Sequence, residues 1–153
     1  MCIRDRLSSI GLRFFNVYGE RQDPSSQYSG VISVFIDSMI DGRPIKINGG
    51  SQTRDFIYVK DVIKSIINAI DYSSRVNVAE NINVLTGYSI SIDHLFELIS
   101  ERINYDQDPI YTDFLIGDPL KSDGSINKLQ SILNLDPIAV SYTHLTLPTI
   151  LLV

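Results

Sequence analysis

Residues 49–70 read GGSQTRDFIYVKDVIKSIINAI. Asp55 to Val59 is a strand-length run of apolar and aromatic residues entered from a Gly-Gly turn. Asp61 stands where a helix N-cap belongs, and Val62, Ile63, Ile66, Ile67 and Ile70 after it are spaced to form one apolar helical face. A strand that runs directly into an amphipathic helix is the building unit of α/β folds, and this stretch predicts that class.

The same alternation extends outward. Upstream, Leu12 to Val17 (LRFFNV) is a second apolar run, closed by Tyr18-Gly19. The polar stretch ERQDPSSQYSG follows, with a turn at Asp23-Pro24. Val31, Val34, Phe35, Ser38 and Met39 then recur at helical spacing up to Asp41-Gly42, a glycine cap. Ile45 and Ile47 flank Lys46 in a short strand, which Asn48-Gly49-Gly50 joins to residues 55–59 as a β-hairpin or a longer loop. Downstream, Ile82 to Val84 is a short strand broken by Thr86-Gly87. Ser91 caps a helix with Ile92, Leu95, Phe96, Ile99 and Ile103 on one stripe. A loop at Gly117-Asp118-Pro119 leads to Ser125 and a last helix carrying Ile126, Leu129, Ile132 and Leu133. Roughly four short strands make a thin sheet, so the chain reads as an incomplete parallel sheet belonging to something larger.

The 153 residues suffice for one ordinary domain. A formal net charge of −5 argues against a general surface for nucleic acid or anionic membrane. Cys2 is the single cysteine, which excludes an internal disulfide and a cysteine-cluster metal site and fits a reduced, cytoplasmic compartment. No apolar run is long enough for a spanning helix, and the first residues lack the apolar core of a signal peptide. The head MCIRDR and the tail VSYTHLTLPTILLV differ in character from the middle. Residues 1–8 and 139–153, with Cys2 and His144, are therefore expected to be non-native read-through, leaving 9–138 as the folding portion.

Several catalytic devices are missing. The glycines at 11, 19, 30, 42, 49, 50, 87, 117 and 124 form no G-x-G-x-x-G loop for a dinucleotide pyrophosphate. The residues four past the eight tyrosines are Gln22, Ile32, Val62, Val76, Ile92, Pro109, Leu115 and Thr146, so no Tyr-x-x-x-Lys pair exists. There is no G-x-S-x-G, no H-E-x-x-H and no P-loop, and His94 is a lone helix histidine. What remains are binding features. Arg54, between a glycine loop and a strand, suits a bidentate phosphate clamp, although local sequence by itself favours an ion pair with Asp55 or Asp61. Asn16 ends an apolar strand, where α/β folds place ligands, or simply caps a turn. Gly117-Asp118-Pro119 is by itself a turn.

Taken together, LRFFNVYGERQDP, GVISVFIDSMIDGRPIKINGGSQTRDFIYVKDVIKSIINAI, NVLTGYSISIDHL and GDPLKSDGSINKLQSILNLDP resemble the extended short-chain dehydrogenases. The similarity is to NAD-dependent nucleotide-sugar epimerases and dehydratases of the UDP-glucose 4-epimerase type, and it runs from Gly11 to Pro137. FFNVYG and QTRDFIYVKDV carry most of it. The resemblance implies the C-terminal half of a Rossmann-type enzyme with its small substrate-binding subdomain. The cofactor loop and the catalytic Ser/Thr, Tyr and Lys would lie in the other half, so the isolated chain would be inactive.

Carried over by position, Asn16 and Arg54 would meet the nucleotide diphosphate, and Val31 would lie against the uracil. Lys46, Ile47 and Asn48 would meet the base mainly through their backbone, Asp118 would bond the nucleoside end, and Phe14 would border the nicotinamide through its backbone. No catalytic residue or metal ligand is implied in this chain. The complete enzyme would be a homodimer holding NAD, which takes a hydride from C4 of a UDP-sugar, with Tyr as base, and returns it to the other face after the keto-sugar rotates. A 4,6-dehydratase fragment and a non-catalytic UDP-binding module are the alternatives. Three positions depart from the pattern: Glu20 replaces the common Pro, Leu85 the first Gly of a Gly-Thr-Gly, and Leu115 an Arg that would add a second diphosphate clamp.

Overall fold

The computed structural model describes residues 8–26 and 28–137. Cys2, His144 and nearly all of the two expected foreign ends lie outside them. Twelve elements follow one another: β1 (Ser9–Phe14), β2 (Asn16–Tyr18), α1 (Val31–Ile40), β3 (Lys46–Asn48), β4 (Thr53–Tyr58), α2 (Val59–Arg75), β5 (Ala79–Val84), β6 (Ser89–Ser91), α3 (Ile92–Ile103), β7 (Ile110–Thr112), β8 (Lys121–Ser122) and α4 (Asn127–Leu133). The α/β class is as expected, and the pairings are parallel except between β4 and β6.

The expected 12–17 strand changes partner partway along. β1 pairs in parallel with β5 from Ser9 opposite Ala79 to Phe14 opposite Val84. After Phe15, β2 pairs instead with β4, Asn16 lying opposite Phe56. A crevice opens at the carboxyl end of β1, the place where α/β sheets bind ligands.

β4 divides the interior. Side chains alternate across a strand, so Arg54 and Phe56 share one face and Asp55 and Ile57 the other. Phe56 joins a core built on Phe35, Ile36 and Met39 of α1 and Leu95, Phe96 and Ile99 of α3. Ile57 joins a second core with Ile82 and Val84 of β5, Val62 and Ala69 of α2, and Leu129 and Leu133 of α4.

One sequence expectation is settled and two need correction. Of the two connections expected between residues 45–47 and 55–59, the longer loop forms and the hairpin does not: β3 pairs with β7, and β4 with β2, β6 and β8. Gly49 and Gly50 take positive φ of 77° and 104°, and Gln52 closes the connection as a loop, accepting from the Gly50 N–H at 2.7 Å and donating to the Asn48 carbonyl at 2.6 Å. The N-cap of α2 is Tyr58, and Asp61 sits in the first turn, paired with Lys64 at 2.8 Å. The isoleucine face of α2 is turned outward, with Ile63 49%, Ile67 58% and Ile70 65% exposed. Val62, Ser65 and Ala69 face inward in its place. Small side chains on that face let the helix approach the sheet closely.

Candidate functional site

A cavity of about 670 Å³ opens at the strand switch and lies between β2, β3, β4 and the start of α1. Asn16, Val31, Lys46, Ile47, Asn48, Arg54 and Asp118 all line it. Phe14 does not. It ends β1 half exposed, and the adjacent Phe15 takes the wall position.

Arg54 reaches the cavity from β4, where β6 and β8 flank it: Ile90 lies opposite it on one edge and Ser122 on the other. Neither local pairing anticipated for it forms. Asp55 points to the opposite face, fully buried, and accepts hydrogen bonds from Thr86 N–H at 2.9 Å, Thr86 Oγ1 at 2.9 Å and Gly87 N–H at 2.8 Å. Asp61 is held by Lys64. Arg54 donates instead to Asp118 Oδ1 at 2.5 Å and to the carbonyls of Pro119 at 2.7 Å and Thr53 at 2.9 Å.

Asn16 stands two residues farther along the same edge of β4, beyond Ser122. Its side-chain N–H₂ donates to the carbonyl of Asp55 at 2.8 Å, which fixes which end of the amide carries the nitrogen. The second N–H makes only a long contact of 3.4 Å to Ser122 Oγ and is the donor a ligand can take. Asp55 therefore locks the Thr86-Gly87 turn with its carboxylate and Asn16 with its backbone, and both sides of the site depend on it.

The β3 side is more committed. Ile47 is buried in the first core, so its side chain belongs to the protein interior. Asn48 Oδ1 accepts from Thr112 Oγ1 at 2.6 Å, and its carbonyl accepts from Gln52 Nε2 at 2.6 Å. The strand edge away from β7 has no strand partner among the described residues. Lys46 is exposed and lines the cavity. Val31 and Val34 of α1 also line it, which explains their helical spacing with Phe35 although neither is buried in the core.

The sequence reading missed Gln22, Tyr28, Gln52 and Ser122. The first three line the cavity, and Ser122 contacts Asn16. Gln22 follows Arg21, whose positive φ of 68° folds the polar stretch back toward the strand end. A positive φ at an arginine leaves no mark in local sequence.

A second cavity of about 250 Å³ lies beside the first, lined by residues 17–22 and Val59. Tyr18 borders both, and its buried hydroxyl has no hydrogen-bond partner among the described residues. Burial first, and then the nearby Tyr58 and Asp61, push that phenol well above its ordinary range. Among the described residues no cluster of His, Cys, Asp or Glu could hold a metal ion. None of the described helices is long and apolar enough to cross a membrane. His94 lies on the exposed side of α3, 3.2 Å from Glu97.

Residues 3–84 match the NAD dependent epimerase/dehydratase family. The chain belongs to this family. It is 31% identical to the UDP-glucose 4-epimerase of Mycolicibacterium smegmatis over 123 residues, covering 80% of this chain and 38% of the relative. The Thermotoga maritima UDP-glucose 4-epimerase, solved with UDP-glucose, superposes with a TM-score of 0.83 at 33% identity, over 92% of this chain and 44% of its own. The UDP-N-acetylglucosamine 4-epimerase of Methanobrevibacter ruminantium, solved with UDP-N-acetylmuramic acid, does so with a TM-score of 0.75 at 39% identity, over 84% of this chain and 40% of its own. The chain thus spans less than half the length of these relatives.

The family is NAD-dependent. This chain has no G-x-G-x-x-G loop to take the pyrophosphate, and Phe14, at the end of β1, is half exposed. The described residues alone do not form a dinucleotide site.

Proposed function

We propose that this chain is the sugar-nucleotide-binding part of an NAD-dependent UDP-sugar epimerase, and that on its own it binds the nucleotide without catalysing the reaction. The supporting observation is the meeting of Arg54, Asn16 and Asp118 on one cavity wall, brought there by β4, β2 and the turn before β8. The Arg54 guanidinium suits two diphosphate oxygens, and the spare N–H of Asn16 a third. The open edge of β3, from Lys46 to Asn48, offers backbone groups to a planar base, with Val31 packing on its face. Asp118 takes the nucleoside hydroxyls. Phe14, at the open end of β1, borders the nicotinamide through its backbone in the complete enzyme, which works as a cytoplasmic homodimer. With no Tyr-x-x-x-Lys pair in the chain, its part in the reaction is to bind and orient the sugar nucleotide.

Calorimetry with UDP on the 153-residue chain tests this reading. Wild type is expected to bind UDP, and Arg54→Ala to weaken that binding at least tenfold, which is a loss of about 1.4 kcal/mol. Equal affinity in the two proteins would remove the diphosphate from this cavity. A 4,6-dehydratase would use the same nucleotide contacts, so UDP binding supports either reaction.

A further inference from the structure

One short segment holds the cavity's main cation. Two of the three partners of the Arg54 guanidinium, Asp118 and Pro119, lie on the turn after Gly117. The Arg54 side chain is 11% exposed and that of Asp118 33%. Around this ion pair the segment is loosely held. Leu115, Ile116 and Leu120 are exposed, and Gly117 has a φ of 91° with open space around it. Its base is firmer, because the Phe114 ring lies on Gly49 so closely that a Cβ there would meet it at 2.2 Å.

We propose that Asp118 is a displaceable internal anion. It neutralises Arg54 while the cavity is empty of ligand, and an entering diphosphate takes its place and frees the 115–119 turn. This inference rests on the reading of the cavity as a diphosphate site.

The charges lining the wall support it. They are Lys46, Arg54 and Asp118, which sum to +1 with the pair closed and +2 once Asp118 withdraws. A phosphate oxygen on Arg54 would lie within a few ångströms of the Asp118 carboxylate, and like charges that close in a partly dry cleft repel strongly. Three guanidinium N–H groups are in use. The other two could grip an anion only against that repulsion. With a whole nucleotide the displaced carboxylate finds new partners in the ribose hydroxyls, so the segment re-forms over the ligand. Inorganic pyrophosphate offers no such partners.

The test is calorimetry with inorganic pyrophosphate on the full chain, comparing wild type, Asp118→Asn and Arg54→Ala. Asn keeps the shape and the acceptor oxygen and removes only the charge. The expected result is roughly tenfold tighter pyrophosphate binding by Asp118→Asn, together with no gain or a loss for UDP, and at least tenfold weaker binding by Arg54→Ala. If Asp118→Asn binds pyrophosphate no better than wild type while Arg54→Ala loses it, displacement is wrong and the diphosphate site stands. If Arg54→Ala binds as wild type does, both fail. Hydrogen exchange in the wild-type protein decides the matter even if a variant does not fold. The Asp118 amide, bonded to the Leu115 carbonyl at 3.1 Å, should exchange faster with pyrophosphate bound, and unchanged or slower exchange overturns the proposal.

Discussion

Glu20 accepts a hydrogen bond from the Tyr58 hydroxyl and lies 3.1 Å from Lys60 Nζ, which in turn sits 5.4 Å from the centre of the Tyr58 ring. The Tyr58 hydrogen bond first, then the chain's own backbone and Lys60, lower the Glu20 carboxyl from its ordinary 4.5 to about 2. A carboxyl whose folded value is depressed stabilises the fold above its unfolded value and loses that stabilisation as pH falls through the folded one. This contribution is therefore complete above about 4.5 and gone near 2. Urea unfolding followed across that range should show a shallower acid slope in Glu20→Gln than in wild type. An unchanged slope would place the acid sensitivity elsewhere. Glu20 also shows what local sequence hides: it stands where the family often has proline, and its partners lie 38 and 40 residues away.

At the scale of elements, β4 makes the site possible. Its alternation sends Arg54 to the cavity and Asp55 into the interior, where three donors from the Thr86-Gly87 turn close on one carboxylate. Asp55→Ala leaves those donors buried and unpaired, with an expected loss of about 3 kcal/mol in folding stability by chemical denaturation. Because the Asp55 backbone still holds Asn16, any UDP affinity lost should track the loss of stability. Some elements were legible in advance for local reasons. Ser91 caps α3 by accepting from the His94 N–H at 3.1 Å, as the residue type at that position announces. The helix closed by Asp41-Gly42 and the last helix were equally readable from periodicity, whereas the 12–17 run gave no sign that it divides between β1 and β2. The pairing of β3 with β7 was not, because it joins Lys46 to Ile110 across a span that no turn signal marks.

Across the whole molecule, α2 shows the limit of patterning. Ile63, Ile66, Ile67 and Ile70 announce an apolar face, but periodicity cannot say what covers it. In this chain α2 reaches the second core through the face that carries Val62, Ser65 and Ala69, and the isoleucines stay outside. Replacing Ile67 and Ile70 together by Glu should therefore change the stability of the chain by no more than about 0.5 kcal/mol. Ile57→Ala, in the second core, should cost about 2–5 kcal/mol. Thermal unfolding of the two variants side by side checks this, and a large loss in the glutamate variant would mean that the face is already packed. The site was legible mainly as a set: no local rule favoured Arg54, Asn16 or Asp118 separately. Only the order of motifs along the chain joined them, and the resemblance could not foresee the internal ion pair of Arg54 and Asp118.

The most direct test of a single diphosphate pocket is an NMR titration of the isotope-labelled chain with UDP, following the Asn16 side-chain amide and the Arg54 guanidinium signals. Both should move together and saturate at the same UDP concentration. If one shifts while the other stays still, the two groups do not serve one ligand, and the sugar-nucleotide reading is contradicted.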